Sequence, residues 1–318
     1  MHPLSSEGVN LMGLFDKFFG KRPTTSEDYS RRAEAYLEKG AYELAIADFG
    51  KALELAPEDA VARHNLYQAY LDRGIANGES GAYDLAIADF TEAIRLKPDN
   101  ADPIFNRGIA HRDKGSYDEA LADFTRASEL DPENAEAHAN RAFIHTERGN
   151  ARCSGGNYDQ ALVDYGEAIR VAPGDPTAHF NRGTAYLKKG NHDAAIADFT
   201  EAIRLDPQQA EAYANRGNAH ESKGDDERAL ADYDAALRLD PGDLVARFNR
   251  GRVCHRMGQY ETAIADFSEA IRLQSALRQA QHLAQTYKAR AAAYRAIGDT
   301  NKAGEDEMSA RNGERRSG

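Results

Sequence analysis

Six prolines divide this 318-residue chain at regular intervals. Pro57, Pro98, Pro132, Pro173, Pro207 and Pro241 stand 41, 34, 41, 34 and 34 residues apart. A period in this range signals a stack of like supersecondary units. Each unit alone cannot bury its apolar face, so it must lean on its neighbours. One phrase recurs between the prolines. Asn106-Arg107-Gly108 leads to Ala120-Leu121-Ala122-Asp123-Phe124. Asn181-Arg182-Gly183 leads to Ala195-Ile196-Ala197-Asp198-Phe199, and Asn249-Arg250-Gly251 to Ala263-Ile264-Ala265-Asp266-Phe267.

The second half of each unit carries a helical period. Ala120, Phe124 and Ala127 fall at i, i+4 and i+7, as do Ala45, Phe49 and Ala52, and Ala195, Phe199 and Ala202. Small Ala beside large Phe lets helices approach closely with a ring filling the gap. Gly108 with His111, and Gly183 with Tyr186, form the answering face in the first half. Gly40, Gly115, Gly190, Gly224 and Gly258 are placed to end the first helix in a left-handed cap. The proline ends the second, because it cannot continue the backbone ladder. The chain therefore reads as all-α, built from helix pairs.

A 34-residue unit with Gly and Tyr in its first half, Ala and Phe in its second and a closing Pro resembles the tetratricopeptide repeat. The resemblance covers about residues 26–310. It implies a right-handed superhelical solenoid of antiparallel helix pairs with an inner groove. Repeats fall near 26–59, 60–100, 101–134, 135–175, 176–209, 210–243 and 244–277. A degenerate capping repeat follows at 284–310, and 311–318 reads as a polar, disordered tail. In the two 41-residue units the phrase is doubled, at Asp72-Arg73-Gly74 and Glu147-Arg148-Gly149. Seven extra residues are close to two helical turns. Either the first helix is two turns longer, or it ends normally and a loop intervenes. Gly78, Gly81, Gly155 and Gly156 weaken the later part, which sets the expected helix ends near Asn77 and Arg152. A 41-plus-34 pair also suggests duplication of a 75-residue block.

Residues 1–25 lie outside the repeats. Leu14, Phe15, Phe18 and Phe19 share a helical face near Lys17, Lys21 and Arg22. This segment, 11–22, reads as a flap over the end of the solenoid or as a membrane or partner contact. The net charge of -12 argues against nucleic acid as the main partner. Two cysteines make no disulfide framework and suit a reducing compartment. No run of about 18 apolar residues and no signal-type apolar stretch is present, which points to the cytoplasm.

Four constellations are candidates for function. Asn65, Asn106, Asn140, Asn181, Asn215 and Asn249 stand eight residues after successive prolines. In the family this column lines the groove, where an amide can match a peptide unit as donor and acceptor. By the same pattern Phe105, Ile109, Phe143, Phe180 and Phe248 would join it, with Arg252, His255 and Arg256 making a basic end. Arg107, Arg141, Arg182, Arg216 and Arg250, with one aspartate before each aromatic (Asp48, Asp89, Asp123, Asp164, Asp198, Asp232, Asp266), suggest a structural ion pair per unit. His111, His145 and His220 replace tyrosines and read as packed imidazoles. Cys153, beside Arg152, reads as an inert surface thiol. His64, Phe105 and Ala139 occupy the column where a chaperone-tail carboxylate clamp would need its first Lys, which speaks against that partner. No phosphate loop, zinc-protease motif or nucleophile elbow is present, so no cofactor is expected. The reading is a non-enzymatic protein-interaction scaffold that binds a peptide or protein segment. The alternative is a membrane-peripheral assembly factor docking through residues 11–22.

Overall fold

The computed structural model describes residues 23–276 and 280–317. The N-terminal segment 11–22 therefore lies outside the described residues. Among those described, the chain forms sixteen α-helices and no strand. Two compact units divide at Arg141/Ala142, and each is treated by itself.

The first unit holds α1 (Ser26–Leu37), α2 (Tyr42–Leu55), α3 (Ala60–Glu79), α4 (Tyr83–Leu96), α5 (Ala101–Lys114) and α6 (Tyr117–Leu130). The dividing point falls inside α7 (Ala135–Ser154). The second unit continues with α8 (Tyr158–Val171), α9 (Pro176–Lys188), α10 (His192–Leu205), α11 (Ala210–Ser222), α12 (Asp226–Leu239), α13 (Leu244–Arg256), α14 (Tyr260–Ala276), α15 (Ala280–Ala296) and α16 (Thr300–Ser317).

Both doubled phrases are helical. α3 and α7 run for 20 residues each, against 14 in α5 and 13 in α9. Adding seven residues keeps the buried face in phase, so the helix needs no break. Glycine ends it two residues later than expected. Gly81 takes φ +79°, and the Ala82 amide reaches back to the Asn77 carbonyl at 2.8 Å, closing the last turn. Gly115 does the same for α5, with Ser116 N–H on the His111 carbonyl. Helix starts are capped by short polar side chains. Asp59 accepts from the Val61 and Ala62 amides at 3.0 Å, and Asp243 repeats this for α13.

The core repeats with the sequence. Phe49, Phe90, Phe124, Tyr165, Phe199, Tyr233 and Phe267 are all buried, and Phe49, Phe90, Tyr165, Phe199 and Phe267 cluster with alanines of their own helix and of the first helix of the next pair. The glycine of the phrase makes room for the ring. A Cβ on Gly74 would sit 2.6 Å from the Phe90 ring, and one on Gly149 would sit 2.6 Å from Tyr165.

The end of the chain departs from expectation. A disordered tail was expected from Arg311, but α16 runs on to Ser317. No proline interrupts it, and Ala303, Asp306 and Ala310 are buried along one face. Among the described residues, no helix is long and apolar enough to cross a membrane.

Candidate functional site

The Arg–Asp pairs are scaffold. Arg107 grips Asp123 with two N–H donors, at 2.9 and 2.6 Å. Its third nitrogen donates to Thr91 Oγ1 on α4 at 3.1 Å. One guanidinium thus ties its own helix pair and the pair before it. Arg216 repeats the arrangement on Asp232 and Thr200, and Arg250 on Asp266 and Asp234. Asp123, Asp232 and Asp266 are buried, so each gains a paired, hydrogen-bonded cation in place of lost hydration.

The sequence-based set of arginines needs correction. In every pair the arginine stands 16 residues before its aspartate. That rule adds Arg32–Asp48, Arg73–Asp89, Arg148–Asp164 and Arg290–Asp306. It also replaces Arg141. In α7 the two copies of the phrase divide the work: Arg141 donates back to Ser128 Oγ at 3.2 Å, and Arg148 grips Asp164. The separation of 16 was present in the sequence and would have identified these residues.

Twelve residues before each aspartate stands a further group facing it. At this position Asn77 donates to Asp89 at 2.9 Å, and Arg152 meets Asp164 at 2.6 Å. His111 lies 3.9 Å from Asp123, and His220 lies 4.0 Å from Asp232. His145 belongs instead to the first copy of the phrase, 3.9 Å from Asp164. Cys254 occupies the same position above Asp266. Burial, then the nearby Asp266 carboxylate, pushes its thiol up to about 11, so it is not a nucleophile near neutral pH.

The asparagine column divides by its partners. In the second unit Asn181 Nδ2 donates to Asn150 Oδ1 at 3.1 Å, and Asn249 Nδ2 to Asn218 Oδ1 at 2.9 Å. Both acceptors also take a tyrosine hydroxyl, Tyr165 at 2.8 Å and Tyr233 at 2.7 Å. Asn215 faces Asn218 at a long 3.5 Å. In the first unit Asn65 donates to Glu34 at 3.0 Å. Asn106 and Asn140 donate to the carbonyls four residues back in their own helices, both at 2.9 Å, and Asn140 also accepts from Arg112. The rule is local. The column amide binds the residue 31 positions earlier where that residue is Glu or Asn, and turns to its own backbone where that residue is Ile75 or Ile109.

The other candidates sit as follows. Phe105, Phe180 and Phe248 are half-buried and tilt against the core rings Phe124, Phe199 and Phe267, with centroids 5.5 to 5.8 Å apart. Ile109 is half-buried, and Phe143 is 51% exposed. Arg252 and Arg256 are engaged by acids. Arg252 meets Glu221 at 3.0 Å, and Arg256 meets Asp226 at 2.6 Å and Glu221 at 3.3 Å. The Arg256 guanidinium holds the Asp226 carboxyl below its ordinary value. The end expected to be basic is therefore charge-balanced.

Among the described residues, two cavities are lined by members of the asparagine column. One, of about 220 Å³, lies in the first unit between α3 and α5, lined by Gly74, Ile75, Phe90, Asn106, Ile109 and Asp113 among others. The other, of about 420 Å³, lies in the second unit and is lined by Asn218, Glu221, Ser222, Asn249, Arg252 and Arg256. Among the described residues no cluster of His, Cys, Asp and Glu is arranged to hold a metal ion.

These observations define an all-helical repeat protein whose helix pairs are locked by an internal Arg–Asp bridge. Tetratricopeptide repeat models match residues 26–59, 67–100, 146–210, 182–244 and 217–294, and a TPR repeat model matches 108–147. The chain belongs to the tetratricopeptide repeat family. It is similar to the crystal structure of MamA, with 22% identity over 53% of this chain and 95% of that one, and a TM-score of 0.50. That likeness shows the fold. The structure of YrrB, a TPR protein with an unusual peptide-binding site, matches at 24% identity over 62% of this chain and 95% of its own, with a TM-score of 0.40. The first TPR of Spaghetti (RPAP3), bound to an HSP90 peptide, matches at 27% identity over 38% of this chain and 95% of its own, with a TM-score of 0.37. No curated protein matches the chain. The family is one of protein-interaction scaffolds, and no catalytic family is indicated.

Proposed function

We propose that the chain is a non-enzymatic, cytoplasmic scaffold that holds a segment of another protein on the face formed by its first helices. The observation that supports this most directly is the cavity between α3 and α5. There Asn106 commits one amide hydrogen to the Asp102 carbonyl while its side chain lines an opening beside Ile109. An amide has a second N–H and a carbonyl to offer, which suits a peptide unit. At about 1 kcal/mol net per bond a row of such amides supplies only a few kcal/mol. A micromolar complex needs ~8 kcal/mol. Apolar contacts beside the amides must supply the rest.

The test is capture of partners from lysate of the native organism by the full chain and by Asn106→Ala, Asn181→Ala and Asn215→Ala. Asn106→Ala should lose the most prey, because Asn181 is already tied to Asn150. Identical prey on all four baits sinks this reading. A second reading, peripheral attachment to membranes through residues 11–22, rests on the apolar and basic pattern of that stretch. Liposome flotation with and without residues 1–22 decides it, and equal partitioning of the two forms removes it.

A further inference from the structure

The residues that line the cavity between α3 and α5 have counterparts 75 residues later in the sequence, and the two sets differ in polarity and charge. In the first unit the cavity is lined by Ile75, Gly78, Phe90 and Ile109, with two exposed acids at its edge, Glu79 and Asp113, the second already paired with Arg112 at 2.7 Å. The corresponding positions in the second unit are Asn150, Cys153, Tyr165 and Thr184, with Ser154 and Lys188 at the edge. There the Asn150 carbonyl is taken by Tyr165 and Asn181, which bridges the space with hydrogen bonds. The same place in the repeat is thus apolar and acidic in one unit, polar and basic in the other.

The charge of the chain follows this contrast. Residues 23–141 carry 13 Lys and Arg against 24 Asp and Glu, a net -11. Residues 142–318 carry 24 against 26, a net -2. Nearly all of the net negative charge belongs to the unit with the apolar cavity. An acidic surface attracts a basic partner and raises its encounter rate, while an apolar recess anchors it. The cavity of about 220 Å³ is roughly seven times the ~30 Å³ share of a water molecule, room for one large side chain and little more.

Building on the scaffold reading above, we propose that the first unit recognises a basic peptide segment of a partner protein and seats one aliphatic or aromatic side chain in the recess lined by Ile75, Phe90 and Ile109. Lys or Arg on either side of the anchor lies toward Glu79 and Asp113. Asn106 aligns the backbone beside it.

A phage-displayed library of random twelve-residue peptides, panned on the full chain, reads this directly. Three variants copy the second unit: Ile75→Asn, Asp113→Lys, and Glu79→Ser with Asp113→Lys. Their side chains are exposed, and melting curves within about 2 °C of the parent show intact folding. The expected ligands are rich in Lys and Arg with a single Leu, Ile or Phe. Ile75→Asn should weaken them at least tenfold in a fluorescence-polarisation titration. The double variant should lose the selection for basic residues. Acidic ligands, or ligands without an apolar residue, overturn the proposal while leaving the scaffold reading in place. Basic, apolar ligands whose affinity ignores Ile75→Asn overturn the assignment to this recess. Failure to enrich any ligand, together with identical lysate prey on Asn106→Ala, overturns both. At least tenfold tighter binding by a chain lacking residues 1–22 would make the chain's own segment 11–22 the occupant and overturn the partner assignment.

Discussion

The helices α3 and α7 are 20 residues each and begin from nearly the same sequence plan, yet they present different chemistry. Both bring a glycine against a core ring and an arginine onto a buried aspartate. α3 holds Asp89 of α4 with one arginine and one amide; α7 holds Asp164 of α8 with two arginines. Around α3 the ring is Phe90 beside Ile75. Around α7 it is Tyr165 hydrogen-bonded to Asn150. The Arg–Asp pairing is kept in both copies, and the side chains around the core ring diverge.

The largest expected effect separates the two aspartates. Arg73→Met leaves the buried Asp89 carboxylate with only a neutral amide and should cost about 3 kcal/mol, the typical penalty for breaking a buried pair. Arg148→Met should cost clearly less, because Arg152 stays on Asp164. Urea denaturation of both variants measures the difference, and equal losses would show that Arg152 contributes nothing.

Next come the glycines, which should behave alike. Gly74→Ala and Gly149→Ala each push a Cβ to 2.6 Å from a buried ring and should cost about 1–3 kcal/mol. A variant as stable as the parent at either site would refute the view that glycine makes room for the ring.

The ring exchange sharpens the contrast further. Tyr165→Phe removes the hydroxyl bound to Asn150 and should cost about 1 kcal/mol. Phe90→Tyr places a hydroxyl beside Ile75, where the acceptor that Asn150 gives Tyr165 has no counterpart at that position, and should cost about 1 kcal/mol. Adding Ile75→Asn should recover much of that loss. A double-mutant cycle that shows no coupling would mean that the Tyr–Asn pairing is coincidental.

The smallest effect concerns pH. Burial lowers the pKa of His220 from its ordinary 6.5, against the pull of Asp232 and Asp225 in the other direction. The folded state therefore holds the neutral imidazole, and the unfolded chain takes up the proton first. The contribution is fully present above about pH 6.5 and is lost as the pH falls from there through the depressed folded value. His220→Tyr, the residue found at Tyr186, should flatten the pH dependence of melting between pH 5 and 7 by a small but measurable amount.

Much of the fold was legible from the residues. Proline spacing set the period, Ala and Phe at helical spacing marked the second helices, and glycines marked the ends of the first. Seven added residues kept the helical phase, so α3 and α7 being continuous is a consequence of 3.6 residues per turn. The arginine assignment went astray at Arg141 because two copies of the phrase compete in α7. Only the 16-residue separation from the aspartate distinguishes them. The helix past Arg311 extends the backbone ladder of α16, which no proline interrupts, and the polar composition of that stretch carries no such signal.

The sequence by itself determined that this is a helical repeat array and which side chains recur in each unit, because periodicity and caps act between near neighbours. The tertiary structure alone decided which of those recurrent side chains are occupied. Whether the side-chain amide of Asn106 or Asn181 turns to its own helix or reaches the neighbouring one depends on the residue 31 positions earlier, Ile75 in one case and Asn150 in the other. Whether Phe105 and Phe180 are anchors or supports depends on the rings they lean against. Those relations lie between helices, where the local rules for one helix no longer apply and distance in the folded chain takes over from distance along it.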